Sequence, residues 1–394
     1  MATILLGLVV LSLVIWLFLL LFWGQFWRVD QQLETSEYSP TQKPLPTVCV
    51  VIPARNEADV IAISLRSLLL QDYAGNFQIF LVDDQSTDGT ANFAQGVAYA
   101  VNKPQQLHIV SSQDLPPGWT GKLWAMEQGI KAAIKTFQET SVQLPDYFLL
   151  TDADIEHDPS NLRRLITKAE EENLDLVSVM VRLRCQSFWE QLLIPAFVFF
   201  FQKLYPFRWV NNSKKATAAA AGGCILIRPE ALNRIGGLQV IRQALIDDCS
   251  LAQAVKSSQG RIWLGLSAVT HSLRPYDSLK TIWDMVARSA YTQLNYSPLL
   301  LIGSVLGMIL VYLLPPLGII YGLVLGKWAI TLTALTVYLL MTFAYFPIIR
   351  FYKCVPWFAF SLPIIALFYT LMTVDSAIRH WQGRGGAWKG RVYP

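Results

Sequence analysis

An α/β domain with a mostly parallel sheet, flanked by one N-terminal and about three C-terminal apolar segments of membrane length, is the fold class this sequence predicts. Two observations carry that expectation. The 394 residues are 53% hydrophobic and only 15% charged, with a mean hydropathy of +0.36, too apolar for an ordinary soluble chain although long stretches stay mixed. Between residues 46 and 277, short apolar runs alternate with helical stretches, the pattern of βαβ units.

In chain order, residues 5–23 form an uncharged run long enough to span a bilayer. No positive region precedes the run and no small-residue cleavage site follows it, so it reads as a retained anchor. Arg28 follows it, and the positive-inside tendency places the next domain in the cytosol. The apolar runs 48–52, 79–82, 107–110 and 147–151 read as strands. The stretch 57–70 and those following Asp88 and Lys122 read as helices. In such sheets ligands sit at the C-terminal ends of the strands.

The apolar stretch 192–207, which contains Pro195 and Lys203, is short for a span and reads as an interfacial helix or a buried core helix. Beyond Pro298, spans are expected at 298–323, 328–349 and 356–374, with a kink or break at Pro315 and Pro316. Three full spans would put the Arg350/Lys353 connection and the basic tail (Arg379, Arg384, Lys389, Arg391) on opposite sides, although both favour the cytosol; one segment is then re-entrant or interfacial. The expected division is an anchor at 1–27, a catalytic domain at 46–297, a membrane region at 298–376 and a basic tail at 377–394.

A net charge of +4 gives no argument for nucleic acid, and the basic residues cluster beside apolar segments, where a membrane surface accounts for them. The five cysteines lack CxxC spacing, which supports neither zinc nor disulfides; Cys49 and Cys224 lie in apolar runs and read as small buried hydrophobes.

Four polar clusters follow or open these elements. The first, PARNE at 53–57, ends one apolar strand. The second, VDDQSTDGT at 82–90, ends the next with adjacent carboxylates and a turn capped by Ser86 or Asp88. Either alone is explained by loop and N-cap chemistry. Together, in successive βα units, they suggest a nucleotide pocket in which a carboxylate accepts a uracil N–H. The third is TDAD at 151–154: residues i and i+2 of an extended segment face one side, so Asp152 and Asp154 can present two carboxylates to Mn²⁺ or Mg²⁺. His157 nearby reads as a surface residue. The fourth is the acidic pair Asp247-Asp248 opening a helix. It serves either helix N-terminal charge complementarity or a general base that takes a proton from an acceptor hydroxyl.

With PARNE, VDDQSTDGT, TDAD, GGCILIRPEAL followed by GG, and IDD in this order over 46–296, the chain resembles the family 2 glycosyltransferases and their GT-A, Rossmann-like nucleotide-diphospho-sugar transferase fold. Its flanking segments look like the ceramide glucosyltransferase branch. The stretches PPGWTGKLWA, VRLRCQSFWEQLLIPAFVFFFQ, ALIDDCSLA and WQGRGGAWKGR resemble the bacterial hopanoid-associated membrane glycosyltransferases. The resemblance implies that Pro53, Ala54, Arg55 and Glu57 line the nucleotide pocket and that Asp84 meets the uracil. Lys122 would lie near the nucleotide-sugar, and Gly222 and Gly223 would line the acceptor side. Asp154, supported by Asp152, would hold the metal, and Asp248 would be the base, with Asp247 beside it. The family's membrane-proximal QxxRW motif is replaced by ARSAYTQL, in which Arg288 and Tyr291 keep a cation and an aromatic.

The expected activity is therefore inverting transfer of one sugar from a UDP-sugar to a hopanoid- or ceramide-like lipid, by an integral protein of a bacterial cytoplasmic membrane with its catalytic domain facing the cytosol. A processive polysaccharide synthase would instead build a ladder of products. A non-catalytic nucleotide-sugar-binding membrane protein would be expected to have lost Asp154 or Asp248, and both are present.

Overall fold

Val48 to Ile52 offer no polar face, so the strand they begin must be covered on both sides. In the computed structural model this strand, β1 (Val48–Ala54), is buried along its whole length. The structure describes residues 2–35, 44–139 and 144–385, and the backbone alone of 387–388 and 391–392. The basic side chains expected at Lys389 and Arg391 lie outside the described residues.

The elements follow in chain order. The N-terminal helix α1 (Ala2–Phe22) precedes β1, α2 (Ala58–Leu69), β2 (Phe77–Asp83), α3 (Thr90–Ala100), β3 (Leu107–Ser111), α4 (Gly121–Glu139) and β4 (Tyr147–Thr151). Next come β5 (Ile155–Glu156), α5 (Asn161–Glu171), β6 (Leu176–Arg182), α6 (Phe188–Leu204), α7 (Phe207–Val210), β7 (Cys224–Ile227) and α8 (Pro229–Arg234). The domain closes with α9 (Asp247–Ser257), β8 (Ile262–Ser272) and α10 (Leu279–Ala287).

The strands form one sheet in the order β3-β2-β1-β4-β7-β6-β8-β5. From β3 to β4 every pairing is parallel, as the alternating pattern requires. β7 runs antiparallel to both β4 and β6, so the sheet is mixed. Cys49 and Val51 face α4, packing with Leu123, Met126 and Ile130. Val48, Val50 and Ile52 face the other way, against Ile61, Leu65 and Leu68 of α2. Cys49 and Cys224 are fully buried, as expected of small apolar side chains.

The α4-side core does not stop at the domain. It continues through α6 into the C-terminal helices. Those are α11 (Pro298–Met308), one π-helical turn at Ile309–Leu313, α12 (Leu314–Val324), α13 (Trp328–Phe351) and α14 (Leu362–Trp381). The expected break at Pro315 and Pro316 is that π turn. It frees a carbonyl, and the Trp16 indole of α1 donates to Val311 O at 2.9 Å. Among the described residues, four helical segments are long and apolar enough to cross a membrane: 2–22, 298–324, 328–351 and 356–381. Gly318 and Gly322 of α12 let it close on α13; a Cβ at Gly318 would stand 3.2 Å from both Ala334 and Val9.

α6 is no free surface helix. Leu193, Ile194, Ala196, Val198 and Phe199 are buried, and the Tyr369 hydroxyl of α14 donates to Leu193 O. Phe199 meets Tyr345 of α13, and Phe200 meets Tyr312 and Tyr369. The stretch expected to be interfacial or core thus lies between the α/β domain and the apolar helices. A Ser187/Glu190 capping box starts it.

Both ends of the last apolar segment return to the α/β domain. At its start, Arg182 donates to Tyr352 O, and the free thiols of Cys185 and Cys354 lie 3.4 Å apart. At its end, the Trp283 indole donates to Asp375 and Arg379 pairs with Asp284 of α10. Between them, Tyr338 of α13 donates to Phe360 O. Position 338 lies about 21 Å along α13 from Tyr352, at ~1.5 Å per residue. Both ends of the segment thus pack against the α/β domain.

α4 approaches the sheet closely at Gly129, where a Cβ would stand 2.5 Å from Val51 Cγ1 and 2.8 Å from Val82 Cγ2. Gly129→Ala is expected to cost about 1–3 kcal/mol by overpacking. Its thermal unfolding in detergent should fall clearly below that of the parent protein.

Candidate active site

The loops after β1 and β2 lock into each other. Ser86 Oγ accepts from Asn56 N, Asn56 Oδ1 accepts from Thr87 N, and Asp88 Oδ2 accepts from Ala58 N at the start of α2. Asp88 Oδ1 also accepts from Thr90 N and its hydroxyl. Asn56 and Gln85 adopt left-handed backbone (φ 51° and 56°), as does Gly89. Much of the second cluster is therefore loop chemistry that holds the strand ends in shape.

Within this frame Pro53 and Ala54 are buried in β1, and Ala54 O accepts from Asp84 N. Arg55 donates to Asp84 O at 2.7 Å, with the Asp84 carboxylate 3.6 Å away. Asp84, expected at the uracil, is only 1% exposed. Arg55 and the backbone enclose it, and Asp83 is the half-buried carboxylate of the pair.

Beyond β4, Asp152 and Asp154 flank the buried Ala153. Lys122, in the first turn of α4, reaches Asp152 at 2.9 Å and Asp247 at 3.3 Å. A cation is disfavoured at a helix N-terminus, so these carboxylates and Asp248 are what hold its ammonium charged. One ammonium group thus joins the third and fourth sequence clusters.

Arg274, just after β8, makes a matching bridge. Its Nε donates to Asp154 Oδ2 at 2.7 Å and its Nη2 to Glu57 Oε1 at 3.1 Å. Burial, with the Asp152 charge behind it, keeps the Asp154 carboxyl above its ordinary range even though Arg274 pulls the other way. Sequence reasoning missed Arg274: nothing marks one arginine in a loop until β8 is paired with β5 and β6. Glu190 fixes that loop by accepting from Tyr276 N at 2.8 Å.

Asp247 and Asp248 open α9. Asp248 Oδ2 accepts from Gly222 N at 2.8 Å and Oδ1 from Cys249 N at 2.7 Å. Burial first, then the Asp247 charge, push its carboxyl up to about 6, against the pull of Lys122 and these two backbone bonds. A Cβ on Gly222 would stand 3.1 Å from Lys122 Nζ and 3.4 Å from Asp248 Oδ2. Gly222 therefore borders the acid pair, whereas Gly223 faces Ile155 and Val181 and backs the sheet. Beside Cys249, the Tyr205 hydroxyl is held by Gln293 at the foot of α11.

Tyr291 is 1% exposed, with its hydroxyl on Tyr296 O and its ring against His380 and Trp381 at the end of α14. Arg288 is exposed, and its charge acts on Tyr276, two residues from Arg274. His157, read as a surface residue, is 2% exposed. Its Nδ1 accepts from Asn161 and its Nε2 donates to the Thr151 hydroxyl, which donates to Gly223 O. This chain ties the end of β4 to β7 directly beneath Asp152.

The donor chemistry suits a hard divalent cation that takes part of its ligands from a diphosphate. Five carboxylates (Glu57, Asp152, Asp154, Asp247 and Asp248) gather around Lys122 and Arg274. Among the described residues, no three His, Cys, Asp or Glu side chains form a metal cage by themselves. Mg²⁺ in particular needs only one or two protein carboxylates when substrate phosphates complete its shell.

Burial lowers the His157 pKa to about 3, so the folded protein keeps it neutral. The unfolded chain gains a proton below about 6.5, the usual histidine value, so stability should fall as pH drops from there toward 3. Thermal midpoints between pH 7 and 5 should decline more steeply in the parent protein than in His157→Gln.

Residues 49–236 match the family model described as glycosyl transferase family 2. A stretch of 59 residues is 49% identical to an N-acetylglucosaminyltransferase of Rhizobium leguminosarum bv. viciae, covering 14% of each chain. Another of 58 residues is 43% identical to an N-acetylglucosaminyltransferase of Mesorhizobium japonicum, again 14% of each. The chain thus matches only about 14% of the length of these curated relatives. Among solved structures, a mannosyltransferase of Pyrobaculum calidifontis, in complex with GDP-Man and Mn²⁺, is similar over 96% of this chain and 99% of that one. Its TM-score is 0.54 at 17% identity, a likeness of fold. The chain has the GT-A type of α/β fold, and residues 49–236 carry its similarity to glycosyl transferase family 2.

Proposed function

We propose that the chain transfers a single sugar from a UDP-sugar to the hydroxyl of a membrane lipid, with inversion, at the cytosolic membrane face. The observation that carries this reading is Asp248, a half-buried carboxylate that accepts from Gly222 N and Cys249 N, with its pKa raised to about 6, beside the Lys122 ammonium that also meets Asp152. A carboxylate so poised is half-ionised at about pH 6 and mostly ionised at neutral pH, and can act as a general base. In a single displacement, Asp248 takes the proton of the acceptor hydroxyl as its oxygen bonds to the anomeric carbon. The bond from that carbon to the diphosphate oxygen breaks, and UDP leaves from the opposite face.

Asp154, supported by Asp152, would hold Mn²⁺ or Mg²⁺, which offsets charge on the leaving diphosphate. The Pyrobaculum mannosyltransferase carries Mn²⁺ with its nucleotide-sugar, in keeping with that assignment. Pro53, Ala54, Arg55 and Glu57 would border the nucleotide, with Lys122 and Arg288 toward its phosphates. Gly222 would line the acceptor side. The lipid acceptor is supported by α6, which lies between the domain and the apolar helices, and by the Tyr205–Gln293 contact joining the Asp248 side to α11. The hopanoid- or ceramide-like class rests on the resembling sequence stretches alone. The division into an anchor at 1–27, a catalytic domain at 46–297 and a membrane region at 298–376 belongs to the same proposal. In it, the last apolar segment is re-entrant and the domain faces a bacterial cytosol.

The purified full chain, given Mn²⁺, a panel of UDP-sugars including the N-acetylglucosamine donor, and membrane lipids, should release UDP and label one lipid with one sugar. Asp248→Asn should lower transfer by about 10²–10⁴ while sparing UDP binding; full turnover in this variant would sink the base assignment. Asp154→Asn should instead weaken Mn²⁺-dependent UDP binding.

Because Asp248 must be ionised to act, kcat/KM should rise as pH passes through about 6 and then level off. Asp247→Asn removes a neighbouring charge that raises that pKa, so the acid limb of its profile should move to lower pH.

A further inference from the structure

Arg274 is the residue of the site that no sequence motif assigned. Its backbone is tied in place: Leu273 N donates to Asp154 O at 2.7 Å, and Ser272 lies opposite Ile155 in the β5–β8 pairing. Its side chain is 37% exposed, against 9% for Asp154, so the guanidinium has a route outward that the carboxylate lacks. That guanidinium occupies Oδ2 of Asp154 and both oxygens of Glu57. A divalent cation bound to a carboxylate oxygen at about 2.1 Å would stand against the guanidinium as a like charge.

We propose that Arg274 holds the place of the divalent cation on Asp154 and is evicted when the cation binds, so that Arg274 sets the metal affinity of the site. The inference rests on reading Asp152 and Asp154 as the cation-holding pair. Eviction leaves the guanidinium attached to a fixed backbone beside the donor. Its planar fork of N–H groups then suits phosphate oxygens. Cation and diphosphate consequently bind as a pair: the cation frees Arg274, and the diphosphate gives it a new partner. Without the diphosphate, the cation must break two carboxylate contacts of Arg274 with no replacement.

The test is Mn²⁺ binding to the purified full chain in nanodiscs, by calorimetry or by the spin-resonance signal of free Mn²⁺, first alone and then with UDP. Arg274→Gln removes the competitor and should bind Mn²⁺ alone about tenfold more tightly, within the usual range of coupling between sites. Arg274→Lys keeps a competing charge and should stay near the parent protein. The strengthening of Mn²⁺ binding by UDP should shrink in Arg274→Gln. If that variant fails to fold, Glu57→Gln, which loosens the other anchor of the guanidinium, should also raise Mn²⁺ affinity. Unchanged or weaker Mn²⁺ binding in folded Arg274→Gln, with binding lost in Asp154→Asn, overturns the eviction and leaves the cation pair standing. Undiminished Mn²⁺ binding in Asp154→Asn overturns both.

Discussion

The crowding of negative charge at the ends of β1 and β4 and the start of α9 is the constraint on which the site depends. Two like charges about 4 Å apart at an effective dielectric near 20 repel by roughly 4 kcal/mol. Carboxylates gathered in a partly buried cleft therefore need compensation from fixed sources. Lys122 bridges Asp152 to Asp247, Arg274 bridges Asp154 to Glu57, and the N-terminus of α9 with Gly222 N receives Asp248. Burial first, and a neighbouring carboxylate second, still hold Asp154 and Asp248 above their ordinary pKa.

That arrangement holds only because the scaffold beneath is rigid. β1 is sealed on both faces by separate apolar clusters, and the one on the α4 side runs on through α6 to Tyr345 and Tyr369. α4, which delivers Lys122, and α6, whose Glu190 fixes the Arg274 loop, are thus parts of the same packed body as the apolar helices. The outward faces of those helices, such as Leu11, Val14, Ile302, Leu306, Leu332 and Leu339, are exposed and apolar, as lipid-facing surfaces are.

Several polar residues serve structure and chemistry at once. Ser86, Asp88 and Thr90 spend their hydrogen bonds on joining two loops, and His157 spends its own on joining β4 to β7. Asp248 complements the positive end of α9, which is a structural reason for an acid there, yet its burial also raises its pKa into a useful range. The two explanations of the acidic pair are not rivals.

The sequence by itself determined the α/β class, the apolar segments and the four polar clusters, because hydrophobic period and strand-end chemistry are local properties. Asp152, Asp154, Asp247 and Asp248 were legible for the same reason. Only the tertiary structure decided which groups meet. β7 turned antiparallel, Asp84 was enclosed by Arg55, Tyr291 was drawn into an aromatic cluster on α14, and His157 moved from expected surface to interior. Arg274 reaches Asp154 across 120 residues, and Tyr205 reaches Gln293 across 88. Such contacts depend on how β8 pairs and how α6 docks, which are properties of long-range packing that no local pattern encodes.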